Sequence, residues 1–115
     1  MNKISLGNRV FNFDDQKKFA ECSGDKNPIH LDDAYARTTQ PGQIIVHGIN
    51  ALLWALDNFS SEFGKIPELI NARFLQPIYL NESVSCIYIE DKKLIEIYSS
   101  EATLIRIKLS GKKYE

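Results

Sequence analysis

Residues 44–59, I44-I-V-H-G-I-N-A-L-L-W-A-L-D-N-F59, decide the fold: from Gly48 onward the run is too long for a strand. It is also apolar around most of its circumference, through Ile49, Ala51, Leu52, Leu53, Trp54, Ala55 and Leu56. A helix that is hydrophobic on all sides is a buried helix. In a chain of 115 residues such a helix needs something wrapped around it.

The C-terminal half supplies the wrapper. I70-N-A-R-F-L-Q76, V84-S-C-I-Y-I-E90, L94-I-E-I-Y-S99 and T103-L-I-R-I-K-L109 alternate or are rich in β-branched and aromatic residues, as strands are. Breaks fall at Pro77, Asn81-Glu82, Asp91-Lys92-Lys93 and Ser100-Glu101. In the last strand Ile105, Ile107 and Leu109 share one face and Arg106 and Lys108 the other. Four consecutive strands with short connections predict an antiparallel meander. Upstream, residues 4–13 predict a further extended segment, with Gly7 and Asn8 as a turn or bulge. The expected fold is α+β: a single domain over residues 1–115, in which about five curved antiparallel strands wrap one long central helix. Its open edges point to pairing with a second copy.

Between these parts lie two short helices. Asp14 reads as the N-cap of a helix over residues 15–22 with Phe19 and Ala20 turned inward, and Ser23-Gly24 ends it. Asp32 or Asp33 caps a second through Ala34–Arg37, and residues 38–43 form a loop with a turn at Pro41-Gly42. The charges are nearly balanced, with a formal net charge of −1, which gives no electrostatic basis for nucleic acid or an anionic membrane as partner. Cys22 and Cys86 form no C-x-x-C pair and no signal peptide precedes them, so reduced thiols in a cytoplasmic protein are expected. The longest apolar run is well short of a bilayer span.

The chemistry concentrates in S23-G-D-K-N-P-I-H30. Pro28 biases Asn27 away from helix and stiffens a loop that brings the Asp25 carboxylate and the His30 imidazole toward one point. Such a pair can position a water and move protons, because His titrates near neutrality and Asp accepts. Asn27 suits side-chain-to-backbone bonds in a turn, and the plainer reading is an Asx turn that carries a surface histidine. The second cluster is V46-H-G48. An unpaired amide at a helix N-terminus suits a developing oxyanion, and Gly48 admits close approach; equally, Gly48 relieves crowding where loop meets helix. His47 reads as a hydrogen-bonded buried histidine or as a secondary site residue. Together, a water-handling pair and an oxyanion-binding amide are the parts needed to add water across a double bond conjugated to a carbonyl.

F19-A-E-C-S-G-D-K-N-P-I-H30, followed by Ala34 and by I45-V-H-G48, resembles the MaoC-like, (R)-specific enoyl-CoA hydratase family of the hot-dog fold, whose signature is a G-D-x-N-P-x-H loop and a V-H-G at the head of the central helix. The resemblance covers nearly the whole chain in element order. It implies that Asp25 and His30 hold and activate the water, that the Gly48 amide polarises a thioester carbonyl, and that Asn27 and Pro28 shape the loop. It further implies a hydro-lyase of fatty-acid metabolism: reversible hydration of a trans-2-enoyl thioester to the (R)-3-hydroxyacyl thioester. The substrate would be carried on coenzyme A or acyl carrier protein, with no cofactor and no metal, by a homodimer. The alternatives are a non-catalytic acyl-thioester-binding or dimerisation domain and a hot-dog thioesterase, although Asp57 and Glu62 sit at the far end of the helix from the expected site.

The chain departs from the family in two places. The C-terminal half is short, with abbreviated hairpins at 91–93 and 100–102, and L53-W-A-L56 stands where some members carry a polar residue. Trp54 and Leu56 read as core, or as a limit on acyl length. The cations Lys26, Arg37, Lys65 and Arg73 are scattered, as solvated surface charges are, and Tyr88 and Tyr98 read as packing. No phosphate loop, Cys/His metal set or Ser-His-Asp order is present.

Overall fold

In the computed structural model, which describes residues 2–100 and 102–111, the run from Gly48 is a helix, α3 (Gly48–Phe63). Gly64 ends it in the left-handed conformation at φ 66°, its N–H donating to the Ser60 carbonyl. Ala51, Leu52, Ala55 and Phe59 form the buried stripe, at the spacing that brings residues onto one helix face. The expectation of burial on all sides is corrected: Ile49 and Leu53 remain 51% and 52% exposed. One sheet covers one side of a helix, so the opposite stripe faces outward in the single chain.

The sheet comprises β1 (Lys3–Val10), β2 (Leu69–Phe74), β3 (Ser83–Ile89), β4 (Leu94–Ser99) and β5 (Ala102–Ser110). Its order is β1-β3-β4-β5-β2, with every neighbouring pair antiparallel. The five strands and one central helix are those expected of the hot-dog fold. The four-strand meander is corrected: only β3-β4-β5 run consecutively, and β2 pairs with β5 at the far edge. Pro77 has no N–H for a ladder, and the segment after β2 is used to tie other parts together. The Leu75 and Gln76 amides donate to the Leu104 carbonyl, the Val46 amide to Ile78, the Leu80 amide to Ile44 and the Asn81 amide to Phe11.

Alternation sets the faces. Val84, Cys86 and Tyr88 on β3, Ile95 and Ile97 on β4, and Ile105, Ile107 and Leu109 on β5 bury against the helix stripe. Each large apolar side chain contributes on the order of 1.5–3 kcal/mol by leaving water. Arg106 points outward and meets Glu96 at 3.0 Å. A bulge between Ser5 and Gly7 interrupts the β1–β3 register, as Gly7 led one to expect, with Gly7 at φ 112°. There the Asn58 side chain of α3 donates to the Leu6 carbonyl at 2.7 Å, which ties helix to edge strand. Lys93, at φ 52°, closes the β3–β4 turn. Ser100, at φ 51°, belongs to the β4–β5 turn, and Glu101 lies outside the described residues.

The first helix, α1 (Phe13–Ser23), is capped by Asn12 rather than Asp14. Asn12 and Asp15 close a reciprocal capping box, the Asp15 amide donating to Asn12 Oδ1 at 3.0 Å and the Asn12 amide to Asp15 Oδ2 at 2.8 Å. Asp14 instead pairs with Lys18 one turn on. The short α2 (Asp33–Ala36) is capped by Asp32, one of the two candidates.

Both cysteines are free, Cys22 exposed on α1 and Cys86 fully buried on β3, where burial pushes its thiol up to about 12. A thiol titration is therefore expected to count one reactive group in the native protein and the second only on unfolding. Rapid native reaction of both would contradict the placement of β3 in the core.

Candidate active site

Gly24, in the left-handed conformation, turns the chain out of α1 and into the loop that carries the expected residues. A relay of side-chain-to-backbone bonds then shapes it. Ser23 Oγ accepts from the Asp25 amide at 3.1 Å, Asp25 Oδ1 from the Asn27 amide at 3.2 Å, and Asn27 Oδ1 from the Ile29 amide at 3.0 Å. Asn27 caps a single 3-10 turn, Pro28–His30, with Pro28 at its first position. The turn reading holds, and the same turn carries both Asp25 and His30. Asp25 uses one carboxylate oxygen to build the loop and directs the other, Oδ2, at His30 Nε2, 3.9 Å away.

The His30 ring is anchored from behind. Its Nδ1 lies 2.8 Å from the Ile45 carbonyl. A carbonyl only accepts, so Nδ1 carries the proton in the neutral ring and Nε2 keeps its lone pair toward Asp25. The His30 side chain is 12% exposed, that of Asp25 51%. A separation of 3.9 Å is too long for a direct hydrogen bond. It leaves room for one oxygen within reach of both groups.

Gly48 opens α3, where first-turn amides have no partner within the helix. It lines a cavity of about 410 Å³ together with His30, Ile45, Val46, Ile49, Phe74 and Ile78, among others. A Cβ at Gly48 would stand 2.8 Å from the Phe74 ring, so the glycine relieves crowding where loop meets helix, and the residue itself lines the cavity. Asp25 borders this space through His30 rather than as part of the wall.

His47 is buried, as one of its two readings had it. Its Nε2–H donates to the Asp25 carbonyl at 3.0 Å, and its ring stacks on His30 at 4.0 Å and 26°. Phe19 packs on the same ring at 4.8 Å. Burial, only partly offset by the Asp25 carbonyl, lowers the His47 pKa from 6.5, so the ring is neutral at pH 7. Asp25, His30 and His47 offer ligand atoms within 4.8 Å of one another.

One residue of the site was missed in the sequence. Gln16 of α1 is fully buried, and its Nε2 donates to the His30 carbonyl at 3.0 Å and the Ile45 carbonyl at 2.9 Å. The available signal was its position three and four residues before the inward pair Phe19 and Ala20.

The remaining candidates lie elsewhere. Arg37 pairs with Asp33 at 2.9 Å, Lys26 is exposed, and Arg73 sits on the outer sheet face opposite Arg106. Neither these nor Lys65 line the His30–Gly48 cavity. Trp54 packs edge-on against Phe11, and Trp54 and Leu56 belong to the core margin. Tyr88 packs on Phe59 and Phe63. Asp57 and Glu62 are exposed.

Residues 7–103 match the family model described as MaoC like domain. The mitochondrial 3-hydroxyacyl-[acyl-carrier-protein] dehydratase of Arabidopsis thaliana is 36% identical over 89 residues, covering 75% of this chain and 47% of that protein. The chain thus spans about half the length of that relative. The (R)-hydratase of A. caviae involved in PHA biosynthesis superposes with a TM-score of 0.72 at 26% identity, over 95% of both chains. R-hydratase PhaJ1 of Pseudomonas aeruginosa gives 0.75 at 23% identity, over 96% of this chain and 81% of that one, and shows the shared fold.

The lowered pKa of His47 carries a consequence for stability. As pH falls through the ordinary value of 6.5, the unfolded chain takes up a proton at this residue that the folded state resists. The contribution is full above that value and is lost as pH drops below it toward the lowered folded one. Urea midpoints are expected to fall between about pH 8 and about pH 5.5, and the fall to shrink in His47→Gln. An undiminished fall in the variant would assign it to other groups.

Proposed function

The chain belongs to the MaoC-like domain family, and from that premise we propose that it is a hydro-lyase that reversibly hydrates a trans-2-enoyl thioester to the (R)-3-hydroxyacyl thioester. The observation that carries the reading is the Asp25 Oδ2–His30 Nε2 pair, 3.9 Å apart, beside a cavity that His30 and Gly48 both line. The acyl chain lies against Ile49, Phe74 and Ile78, and the thioester oxygen meets the Gly48 N–H at the head of α3. A water held by Asp25 and His30 attacks C3. One of its protons passes to His30 Nε2 while the C2–C3 π electrons move toward the carbonyl oxygen. The charge on that oxygen is met by the Gly48 amide. His30 then returns the proton to C2, so the sum is one water added. Dehydration retraces these steps.

The reaction needs no cofactor beyond the carrier of the substrate, coenzyme A or acyl carrier protein. The names of the Arabidopsis dehydratase and of the A. caviae (R)-hydratase support this class of chemistry. Asp57 and Glu62, exposed on α3, favour hydration over thioester hydrolysis, and the intact Asp25/His30 pair favours catalysis over binding alone. The edge strand β2 and the residue after it, with Leu69, Ile70, Phe74 and Leu75 exposed, together with the exposed Ile49 and Leu53 of α3, fit pairing with a second copy as a homodimer. Among the described residues no helix is long and apolar enough to cross a membrane. The cytoplasmic location expected from the reduced thiols stays part of this proposal; the name of the Arabidopsis relative places that protein in mitochondria.

Loss of the conjugated enoyl absorbance is expected with a short trans-2-enoyl-CoA or its acyl-carrier-protein counterpart. Asp25→Asn and His30→Ala are each expected to lower kcat by about 10²–10⁴-fold. Inactivity of the unaltered protein on both carriers would remove the hydratase reading. Full activity in both variants would remove the site assignment.

A further inference from the structure

Among the described residues Gln16 and His47 are the buried polar side chains. Each carries a buried atom that accepts no hydrogen bond, Gln16 Oε1 and His47 Nδ1. Burying an unpaired polar atom is costly, and an apolar residue of similar size would avoid it. Yet both lie behind the Asp25–His30 pair, and their satisfied atoms all bond the main chain of the site. Gln16 Nε2 bridges the His30 carbonyl at 3.0 Å and the Ile45 carbonyl at 2.9 Å. The Ile45 carbonyl is the group that receives His30 Nδ1 at 2.8 Å. Both partners of the amide are carbonyls, so the NH₂ end must face them. Gln16 therefore fixes the backbone of His30 and the acceptor of its ring as one unit. His47 acts on the other half: its Nε2–H holds the Asp25 carbonyl at 3.0 Å, and its ring face supports His30 at 4.0 Å.

We propose that Gln16 and His47 are positioning residues of the hydration, Gln16 holding His30 as the Nδ1–H tautomer with Nε2 bare, and His47 setting the spacing between the Asp25 carboxylate and the His30 ring. The proposal rests on the hydratase reading above. It requires the two stacked imidazoles to be opposite tautomers: His30 bonds a carbonyl through Nδ1, His47 through Nε2. The chain contains only these two histidines, so their spectra are separable without ambiguity.

Long-range ¹H–¹⁵N correlation on imidazole-labelled protein, at about pH 8 where free histidine is neutral, tests this directly. One Nδ1–H and one Nε2–H ring are expected in the unaltered protein. In Gln16→Leu the His30 pattern is expected to become mixed, with kcat lowered about a hundredfold and KM within about threefold. In His47→Phe, which keeps a ring to stack, the His30 tautomer is expected to persist while kcat falls similarly. Two like tautomers in the unaltered protein would overturn the proposal even if neither variant folds. So would an unchanged His30 pattern in Gln16→Leu, or unaltered kcat in His47→Phe. Opposite tautomers in a protein inactive on every enoyl thioester would instead strike the hydratase reading, and the positioning role with it.

Discussion

The structure depends on covering one apolar stripe. Ala51, Leu52, Ala55 and Phe59 of α3 must leave water, and the inward faces of β3, β4 and β5 are what they meet. A helix laid against a sheet in this way has little freedom to slide, because its side chains interlock with Ile95, Ile97, Ile105 and Ile107. The position of its N-terminus is therefore fixed by packing well away from the chemistry. The segment after β2 secures that end, through the bonds from Val46 to Ile78 and from Leu80 to Ile44. The Gly48 amide is delivered to one place, and the approach of Phe74 keeps any larger residue from standing there.

The second half of the site is brought to that place by turn chemistry. Asp25, Asn27 and Pro28 make a loop that a surface turn would also use, but the loop is anchored inward by Gln16 and His47. Those two residues come from α1 and from the residue before α3, so the loop is clamped between the helices. The division of labour within Asp25 follows. Oδ1 is spent on the Asn27 amide and the carbonyl on His47, which leaves Oδ2 for His30. A carboxylate and an imidazole held in this way have their orientation set before any substrate arrives.

Most of this could be read in the sequence where the signal was local. The alternation in residues 103–109, the capacity of Gly7 for a bulge, the stop at Gly24 and the Asn27-Pro28 turn all rest on neighbouring residues, and all stand in the structure. What escaped was non-local. The pairing of β2 with β5 depends on where the Leu75–Glu82 segment bonds, across the molecule, and no turn signal encodes that. The half-exposed stripe of α3 follows from the sheet covering a single side of it. Asn12 took the cap from Asp14 because of a reciprocal partner three residues on, a pattern present in the sequence and overlooked. Gln16 was invisible as a site residue because its partners are backbone carbonyls, which carry no residue-type signature. Asp25, His30 and Gly48 could be proposed from the sequence because their side chains, or the lack of one, suit the chemistry, and the fold brings His30 beside both Asp25 and the cavity that Gly48 lines.

In the proposed reaction the water would stand on one side of a substrate whose carbonyl meets Gly48, so attack at C3 would come from one face. Chiral separation of the 3-hydroxyacyl product formed from a short trans-2-enoyl thioester tests that geometry most directly. The (R) product alone is expected. A racemic product would contradict a single water held between Asp25 and His30 against that carbonyl, and an (S) product would contradict the (R) assignment.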